Sequence, residues 1–267
     1  MKISDVQQGP GQPFNHNLVT YSSYLHIDGL LKLQKPLSTP QAHDEMLFII
    51  IHQVYELWFK QINYELRTVV QCLDQKKLGP CFALLGRVSE IMRVLVEQIS
   101  VLETMTPMNF NAFRSVLRPA SGFQSFQFRE FEYLLGVDAK EFIPLIKTSP
   151  EWKDKIEALI EERSLRVAVL DLFADYDIPQ KDFCNAVVKI YEDPALMELQ
   201  NLCEHLIRLD EQTLLWRFRH VQMVERMIGF KPGTGGSLGA EYLEKTLKKK
   251  AFPEIWEART HMGEPNY

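Results

Sequence analysis

The sequence lacks a long apolar run. The longest uninterrupted one, Met46 to Ile51, is far shorter than the roughly 20 residues that a membrane-crossing helix needs. The first 17 residues contain a single lysine and no apolar stretch, so we expect no signal peptide. The sequence therefore predicts a cytoplasmic protein with no membrane partner.

Cysteine is scarce. Only four cysteines occur in 267 residues (Cys72, Cys81, Cys184 and Cys203), and no two of them form a Cys-x-x-Cys pair. This number and spacing argue against a disulfide framework, a structural zinc site and a thioredoxin-like motif. Reduced thiols in a cytosolic protein are the simplest interpretation.

An excess of positive charge is also absent. The 30 Lys and Arg residues face 35 Asp and Glu residues, which gives a net charge of −5 and a pI near 5.9. A protein that binds nucleic acid non-specifically needs a basic surface, so we expect no nucleic-acid partner.

Strand-like alternation is missing, and helical periodicity takes its place. Residues 41–78 contain neither Gly nor Pro, and apolar residues recur there every three or four positions from Leu47 to Leu73. Thr39 and Pro40 are typical of a helix N-cap and first turn. A second apolar stripe covers 88–102.

The rest of the chain predicts further helices and no separate domain. We expect helices at 109–118, 123–135, 194–228 and 240–250, with shorter pieces between 137 and 195. No internal repeat and no low-complexity linker divides the chain. The prediction is a single all-α domain over residues 1–267, with a partly flexible segment at 1–20.

Two histidines lie on apolar helix faces. His52 stands between Phe48 and Tyr55, and His220 stands between Trp216 and Val224. Each is either a core histidine or a functional group kept neutral by desolvation, and the residues alone leave both interpretations open. A neutral imidazole on a rigid apolar face, with arginines at 217, 219 and 226 nearby, also suits an axial haem ligand.

Three other features have a structural and a functional interpretation. His43, Asp44 and Glu45 are consecutive and fan out around a helix, which favours a polar first turn over a metal cluster. The loop 233–239 lacks the Lys-Ser/Thr ending of a P-loop, so it is a flexible connector or a close backbone approach to a ligand. Arg114 is either a snorkelling residue or a partner for a substrate carboxylate.

Several long blocks resemble the tryptophan 2,3-dioxygenase family. They are Tyr21-Ser-Ser-Tyr-Leu25, His43-Asp-Glu-Met-Leu-Phe-Ile-Ile-Ile-His52 through Trp58, Phe113-Arg114, Pro119-Ala-Ser-Gly-Phe-Gln-Ser-Phe-Gln-Phe-Arg129, Trp216-Arg-Phe-Arg-His220, Gly229-Phe-Lys-Pro-Gly-Thr-Gly-Gly-Ser237 and Phe252-Pro-Glu-Ile-Trp-Glu-Ala-Arg-Thr260. The blocks follow the family's order and cover 18–136 and 210–260, whereas 137–195 matches only loosely.

The resemblance implies a helical-bundle domain with a haem pocket, assembled as a homotetramer that is a dimer of dimers. The implied reaction cleaves the indole C2–C3 bond of L-tryptophan with O₂ and gives N-formyl-L-kynurenine, the first step of the kynurenine pathway. The implied cofactor is haem b, with ferrous iron in the active state.

The resemblance also implies residue roles. His220 would be the axial iron ligand, and Ser121 would lie near the haem. His52 would be the catalytic residue that hydrogen-bonds the indole N–H. The substrate-binding residues would be Phe48, Phe110, Arg114 and Thr234, together with Tyr21, Tyr24 and Leu25 from a neighbouring subunit.

One departure and three alternatives accompany this interpretation. Leu238 occupies a loop position where a small polar residue is expected. A relative that inserts one oxygen atom, or acts on a modified tryptophan, would have nearly the same pocket. A haem-binding sensor would need neither Arg114 nor Thr234, and a plain helical interaction protein would bind no haem.

Overall fold

The computed structural model describes residues 19–137, 150–178, 180–234, 243–244 and 246–263. Its backbone contacts divide the chain into two units, residues 1–35 and 36–267. Every regular element within the described ranges is helical, which confirms the prediction of an all-α fold. No helix there is both long enough and apolar enough to cross a membrane.

The first unit contains two short helices, α1 (Tyr21–Leu25) and α2 (Ile27–Leu30). Thr20 begins α1 with a capping box: its Oγ1 accepts from the Ser23 amide at 3.2 Å, and its own amide donates to Ser23 Oγ at 2.9 Å. Neither helix has a buried residue, and Tyr21, Tyr24, Leu25 and Leu30 are exposed.

The second unit is built from longer helices. They are α3 (Glu45–Asp74), α4 (Leu78–Leu102), α5 (Pro107–Phe113), α6 (Phe126–Leu135), α7 (Lys153–Ile160), α8 (Leu165–Ala174), α9 (Phe183–Glu192), α10 (Met197–Ile228) and α11 (Pro253–His261). Helix α4 packs along both α3 and α10, while α6 and α8 pack against α3 and α11 packs against α9.

The centre of this unit is apolar and fully packed. Ile62, Leu66, Leu85, Leu95 and Leu206 have no accessible surface. They recur on their helices at spacings close to the helical period, so each helix turns one apolar stripe towards its neighbours. A fully buried aliphatic side chain contributes about 1.5–3 kcal/mol to folding, and this core holds the helices in fixed register.

The start of α3 differs from the sequence prediction. Thr39 and Pro40 lie in a bend, and the helix begins at Glu45. Glu45 is 1% exposed and accepts hydrogen bonds from the backbone amides of Leu37 and Ser38, at 2.7 and 3.0 Å, and from the Ser38 hydroxyl. The incoming chain is thus tied to the first turn through this carboxylate, so the helix cannot extend back to Pro40.

The end of the chain also differs. Residues 246–248 form a turn and 249–250 are irregular, so the predicted helix 240–250 is wrong over this part; residues 240–242 and 245 lie outside the described ranges. The sequence analysis missed α11, which has only two buried residues. Asp210 on α10 holds the start of α11 by accepting from the amides of Ala251 and Phe252, at 2.8 and 3.1 Å.

Candidate functional site

A single cavity in the second unit collects most of the residues that the sequence analysis selected. The cavity has a volume of about 270 Å³. Its walls come from α3, α4, α5, α6, α10 and the segments around 121, 233 and 246. Its lining is mostly aromatic and aliphatic, with a few arginines and carboxylates. A cavity of this composition is typical of a small-molecule or cofactor site.

Helix α3 contributes one wall. Phe48, His52, Tyr55, Glu56 and Phe59 follow each other at helical spacing and all line the cavity. Such spacing puts them on one face of the helix. The opposite stripe of α3 packs into the core, so these side chains are carried by a rigid element.

His52 has a defined tautomer. Its Nδ1 lies 2.6 Å from the carbonyl oxygen of Phe48, and a carbonyl only accepts, so Nδ1 carries the hydrogen. The His52 side chain has accessible surface and lines the cavity, and desolvation by the surrounding protein lowers its pKa; the bond to Phe48 opposes this effect. The imidazole is therefore neutral near pH 7, and its Nε2 is a hydrogen-bond acceptor.

Aromatic rings surround His52. The Phe48 ring lies 4.0 Å from the His52 ring, centroid to centroid, and 5.8 and 5.5 Å from the rings of Phe110 and Phe113. Phe110 and Phe113 meet edge to face on α5. This part of the cavity suits a flat, neutral, aromatic ligand.

Helix α10 contributes the second wall, with the same spacing as α3. Trp216, His220, Met223, Val224 and Met227 line the cavity. The Trp216 ring stacks on the His220 ring at 5.2 Å with 7° between the planes, which fixes the orientation of the imidazole.

His220 is a neutral imidazole with both ring nitrogens available. Desolvation, reinforced by electrostatic effects of His52 and Arg129, lowers its pKa to about 4. No hydrogen bond or ion pair in the described part of the chain engages its side chain. A deprotonated nitrogen held on a rigid helix face is what a metal ion requires of a histidine ligand.

Arg114 and Thr234 close one side of the cavity. The Nη2 of Arg114 donates to the carbonyl oxygen of Pro232 at 2.6 Å, and the Oγ1 of Thr234 donates to the carbonyl oxygen of Ala120 at 2.6 Å. Among the residues that the structure describes, the buried Nε of Arg114 has no hydrogen-bond partner, so its guanidinium retains capacity for an anionic ligand.

A buried ionic cluster lies in the cavity wall. Glu132 pairs with Arg129 one turn earlier on α6 and with Arg217 on α10, where the Nη2–Oε1 distance is 3.0 Å. Arg217 is 4% exposed and also donates to the carbonyl oxygen of Lys249 at 2.6 Å. Two arginines thus meet at one carboxylate in the cavity wall.

Glu56 adds a carboxyl group four residues after His52. Burial raises its pKa, and a hydrogen bond with Ser125 opposes that effect. Ser125 is also the N-cap of α6, since its Oγ accepts from the Phe128 amide at 3.2 Å. Glu56 thereby connects α3 to the start of α6 along the cavity.

The structure brings together most of the predicted site residues in this one cavity. Those that line it are Phe48, His52, Phe110, Arg114, Ser121, Thr234 and His220. Tyr21, Tyr24 and Leu25 belong to the first unit, where they are 79%, 74% and 43% exposed. Leu238 lies outside the described residues. The individual roles of these side chains stay predictions.

The sequence analysis missed Glu56, Glu132 and Arg129 as cavity residues. Glu56 had a usable signal, because it is one helical turn from His52 and must share its face. The other two lie on α6, whose orientation depends on tertiary packing. Of the three arginines that flank His220, only Arg217 lines the cavity.

The other two flanking arginines point elsewhere. Arg219 and Arg226 both face Glu103 at the end of α4, with N–O distances of 3.1 and 3.8 Å. They therefore stabilise the contact between α4 and α10 and are not cavity residues.

Comparison with known proteins gives one consistent result. The profile of the family described as tryptophan 2,3-dioxygenase matches residues 5–168 and 181–262. Tryptophan 2,3-dioxygenase from Herpetosiphon aurantiacus is 43% identical over 258 residues, which cover 91% of this chain and 98% of the relative. The enzymes of the same name from Serratia proteamaculans and Xanthomonas campestris are 39% and 40% identical, covering 92% and 93% of this chain and 94% and 89% of their own.

Proposed function

The chain belongs to the tryptophan 2,3-dioxygenase family, and from this premise we propose that it is a haem-dependent enzyme that cleaves the indole C2–C3 bond of L-tryptophan with O₂ to give N-formyl-L-kynurenine. The observation that carries the proposal is the cavity itself, in which His52 and His220 face the same space from different helices while Arg114 closes one side.

The residues present fit a haem group. His220 offers a neutral imidazole without a competing hydrogen bond in the described part of the chain, and Trp216 stacks on it and fixes its direction. The surrounding aliphatic and aromatic side chains suit a porphyrin face. Arg129 and Arg217 supply positive charge for its carboxylates. When bound, haem b with ferrous iron supplies the activation of O₂ that no side chain provides.

His52 is the proposed catalytic residue for the indole. Its Nδ1–H is held by the Phe48 carbonyl, so its Nε2 presents an acceptor to the cavity. The indole N–H is a donor without charge, and a neutral imidazole is its natural partner. Accepting this hydrogen bond orients the indole ring and favours the build-up of positive charge on the nitrogen as C2–C3 reacts.

Phe48 and Phe110 bind the indole ring through aromatic contact, while Arg114 and Thr234 bind the amino-acid end. The guanidinium fork pairs with the substrate carboxylate, and the threonine hydroxyl serves the carboxylate and ammonium groups. Ser121 would lie near the haem. These contacts hold the reacting carbons in one pose and exclude water from the cavity.

The active form is proposed to be a homotetramer, a dimer of dimers. The support on this chain is the first unit, where Tyr21, Tyr24 and Leu25 are exposed although they are apolar or aromatic. In the proposed assembly they complete the pocket of a neighbouring subunit. The single-domain organisation and the cytoplasmic location stay predictions.

The product formed under labelled O₂ tests the function. We expect reduced, haem-loaded protein to convert L-tryptophan to a ring-opened product that contains both atoms of one O₂ molecule, as measured by mass spectrometry. A product with a single labelled atom would indicate a monooxygenating relative.

Turnover of a modified tryptophan, but not of L-tryptophan, would contradict the proposed substrate while preserving the chemistry. A normal haem spectrum without turnover of either compound would indicate a sensor. Failure to bind haem at all would leave only a helical interaction protein.

A further inference from the structure

A second group of metal-binding side chains lies outside the cavity, where α9 packs against α11. We propose that Cys184, Glu257 and His261 form a binding site for a zinc ion. The Sγ of Cys184, a carboxylate oxygen of Glu257 and a ring nitrogen of His261 all lie within 4.8 Å of one another.

The positions of the three residues follow from two rigid helices. Glu257 and His261 are four residues apart on α11, so they project from the same face one turn apart. Cys184 is the second residue of α9, and α9 and α11 are in contact along their lengths. The site therefore joins Cys184 to residues that lie more than 70 positions later in the sequence.

The spacing is compatible with a metal ion after small side-chain movements. Bonds of about 2.3 Å to sulfur and 2.0 Å to nitrogen or oxygen put tetrahedral zinc ligands about 3.5 Å apart. The separations, which are 4.8 Å or less, need to shorten by about 1.3 Å at most. Glu257 and His261 are exposed and Cys184 is half-buried, so rotation of the side chains is sufficient.

The three side chains are also unengaged, in contrast to their neighbours on α11. Glu254 is paired with Arg166, and Arg259 is paired with Glu204. No hydrogen bond or ion pair involves the side chains of Cys184, Glu257 or His261 within the ranges that the structure describes. They are thus available to a ligand without loss of a native contact.

The local charge favours a cation. The carboxylates of Glu257, Asp182 and Glu254 are near enough to the Cys184 sulfur to act on it electrostatically. Of these three carboxylates, that of Glu254 is paired with Arg166, and the other two have no ion pair within the described residues. The surroundings of the sulfur are therefore anionic. A divalent cation suits such surroundings, because it stabilises a thiolate and the carboxylates together.

The ligand set selects the metal. One thiolate, one imidazole and one carboxylate suit zinc, and water completes the tetrahedron. On binding, the Cys184 thiol releases its proton to solvent and forms the Zn–S bond, with no change of oxidation state. The bound ion then crosslinks α9 to α11 and stabilises the C-terminal helix.

Zinc binding to the full-length, haem-loaded protein tests the site. After removal of metals with a chelator, the protein is titrated with Zn²⁺ in competition with a chromophoric zinc indicator. We expect one tight site per chain, absent in Cys184→Ser and in His261→Ala and retained in Cys72→Ser, which removes the other half-buried thiol. Haem content serves as the check that each variant is folded.

Thiol reactivity gives a second readout. In Cys72→Ser protein, Cys184 is the remaining thiol with accessible surface, since Cys81 and Cys203 are fully buried. We expect Zn²⁺ to slow its reaction with a thiol-specific disulfide reagent. Equal zinc binding by the parent protein and Cys184→Ser, or unchanged thiol reactivity at saturating zinc, would overturn the proposal; neither result bears on haem binding or oxygenation.

Discussion

The Nδ1–H of His52 donates a hydrogen bond to the carbonyl oxygen of Phe48, one helical turn earlier, over 2.6 Å. This bond leaves Nε2 as the ring nitrogen that faces the cavity, and it leaves Nε2 without a proton. Phe48 is proposed to pack against the substrate, and His52 is proposed to accept a hydrogen bond from the substrate N–H. Phe48 therefore also orients His52.

The two histidines are expected to respond differently to truncation. His220→Ala removes the proposed iron ligand, so we expect most of the bound haem to be lost. His52→Ala leaves that ligand in place, and we expect it to retain haem while turnover falls about 10²-fold or more, in the range typical of a lost catalytic hydrogen-bond partner. Haem absorbance per chain, measured beside the initial rate, separates the two.

The opposite pattern, with haem lost from His52→Ala and retained by His220→Ala, would exchange the two assignments. His205→Ala is a suitable control, because this histidine stacks on Phe82 away from the cavity residues, at 5.3 Å between ring centroids. It should leave both haem content and rate close to those of the parent protein.

Arg114→Ala is expected to act on substrate binding. Loss of a charge-assisted contact to the substrate carboxylate costs about 2 kcal/mol or more, which corresponds to a rise in KM of about 30-fold or more. The measurement is KM and kcat for L-tryptophan, with kcat expected to change less. An unchanged KM would remove Arg114 from the substrate site.

A substrate analogue sharpens the Arg114 experiment. Tryptamine has the indole and the amine but no carboxylate, so the loss of Arg114 should not weaken its binding in the same way. We expect Arg114→Ala to reduce the preference for L-tryptophan over tryptamine. An equal effect on both compounds would indicate general damage to the pocket.

Glu45 is expected to make stability depend on pH. Desolvation alone would raise its pKa, but hydrogen bonds from Leu37 and Ser38 prevail and the pKa is lowered. A lowered carboxyl pKa stabilises the fold above the pKa of the unfolded chain, near 4.3, and this stabilisation is lost as the pH falls through the folded value. Glu45→Gln should therefore be less stable than the parent protein at pH 7, by about 1–3 kcal/mol.

Urea unfolding at several pH values checks this expectation. The difference between the parent protein and Glu45→Gln should be constant above about pH 5 and shrink below it. A difference that persists unchanged at lower pH would mean that packing around Glu45, and not its charge, provides the stability.

Glu132 is expected to be essential to the buried ionic cluster. Glu132→Leu leaves Arg217 and Arg129 without their shared carboxylate, and breaking a buried ion pair in this way costs about 3–5 kcal/mol. The double variant Glu132→Leu with Arg217→Met also removes one of the two unpaired positive charges, so it should recover part of the lost stability. Chemical unfolding of the three variants measures this, and a double variant as unstable as the sum of the singles would contradict the coupling.

Asp210 is expected to hold the C-terminal helix. It accepts from the amides of Ala251 and Phe252 and from Trp256 Nε1, at 2.8, 3.1 and 3.2 Å. Asp210→Ala leaves these donors unsatisfied, so we expect a loss of about 1–3 kcal/mol and faster hydrogen exchange in residues 250–263. Glu211→Gln, an exposed neighbour, should leave the exchange unchanged.

Much of the cavity was predictable because its walls are periodic helices. His52 and His220 lie on long apolar stripes, and the family resemblance identified both. Glu132 was not predictable in this way, since its neighbours Arg129 and Arg217 meet only after α6 and α10 pack. Glu45 was assigned to a polar first turn, and nothing local indicates that Leu37 and Ser38 fold back over it.

The cavity lining begins at Phe48 and ends at Thr246, and its residues come from three separated stretches, 48–59, 99–132 and 216–246. Contacts of such long sequence separation form late, because loop closure must come first. During synthesis the proposed haem group therefore has no complete pocket until residues up to Thr246 have left the ribosome. Acquisition of haem thus reports on completion of the fold, and chains that end early should not compete for it.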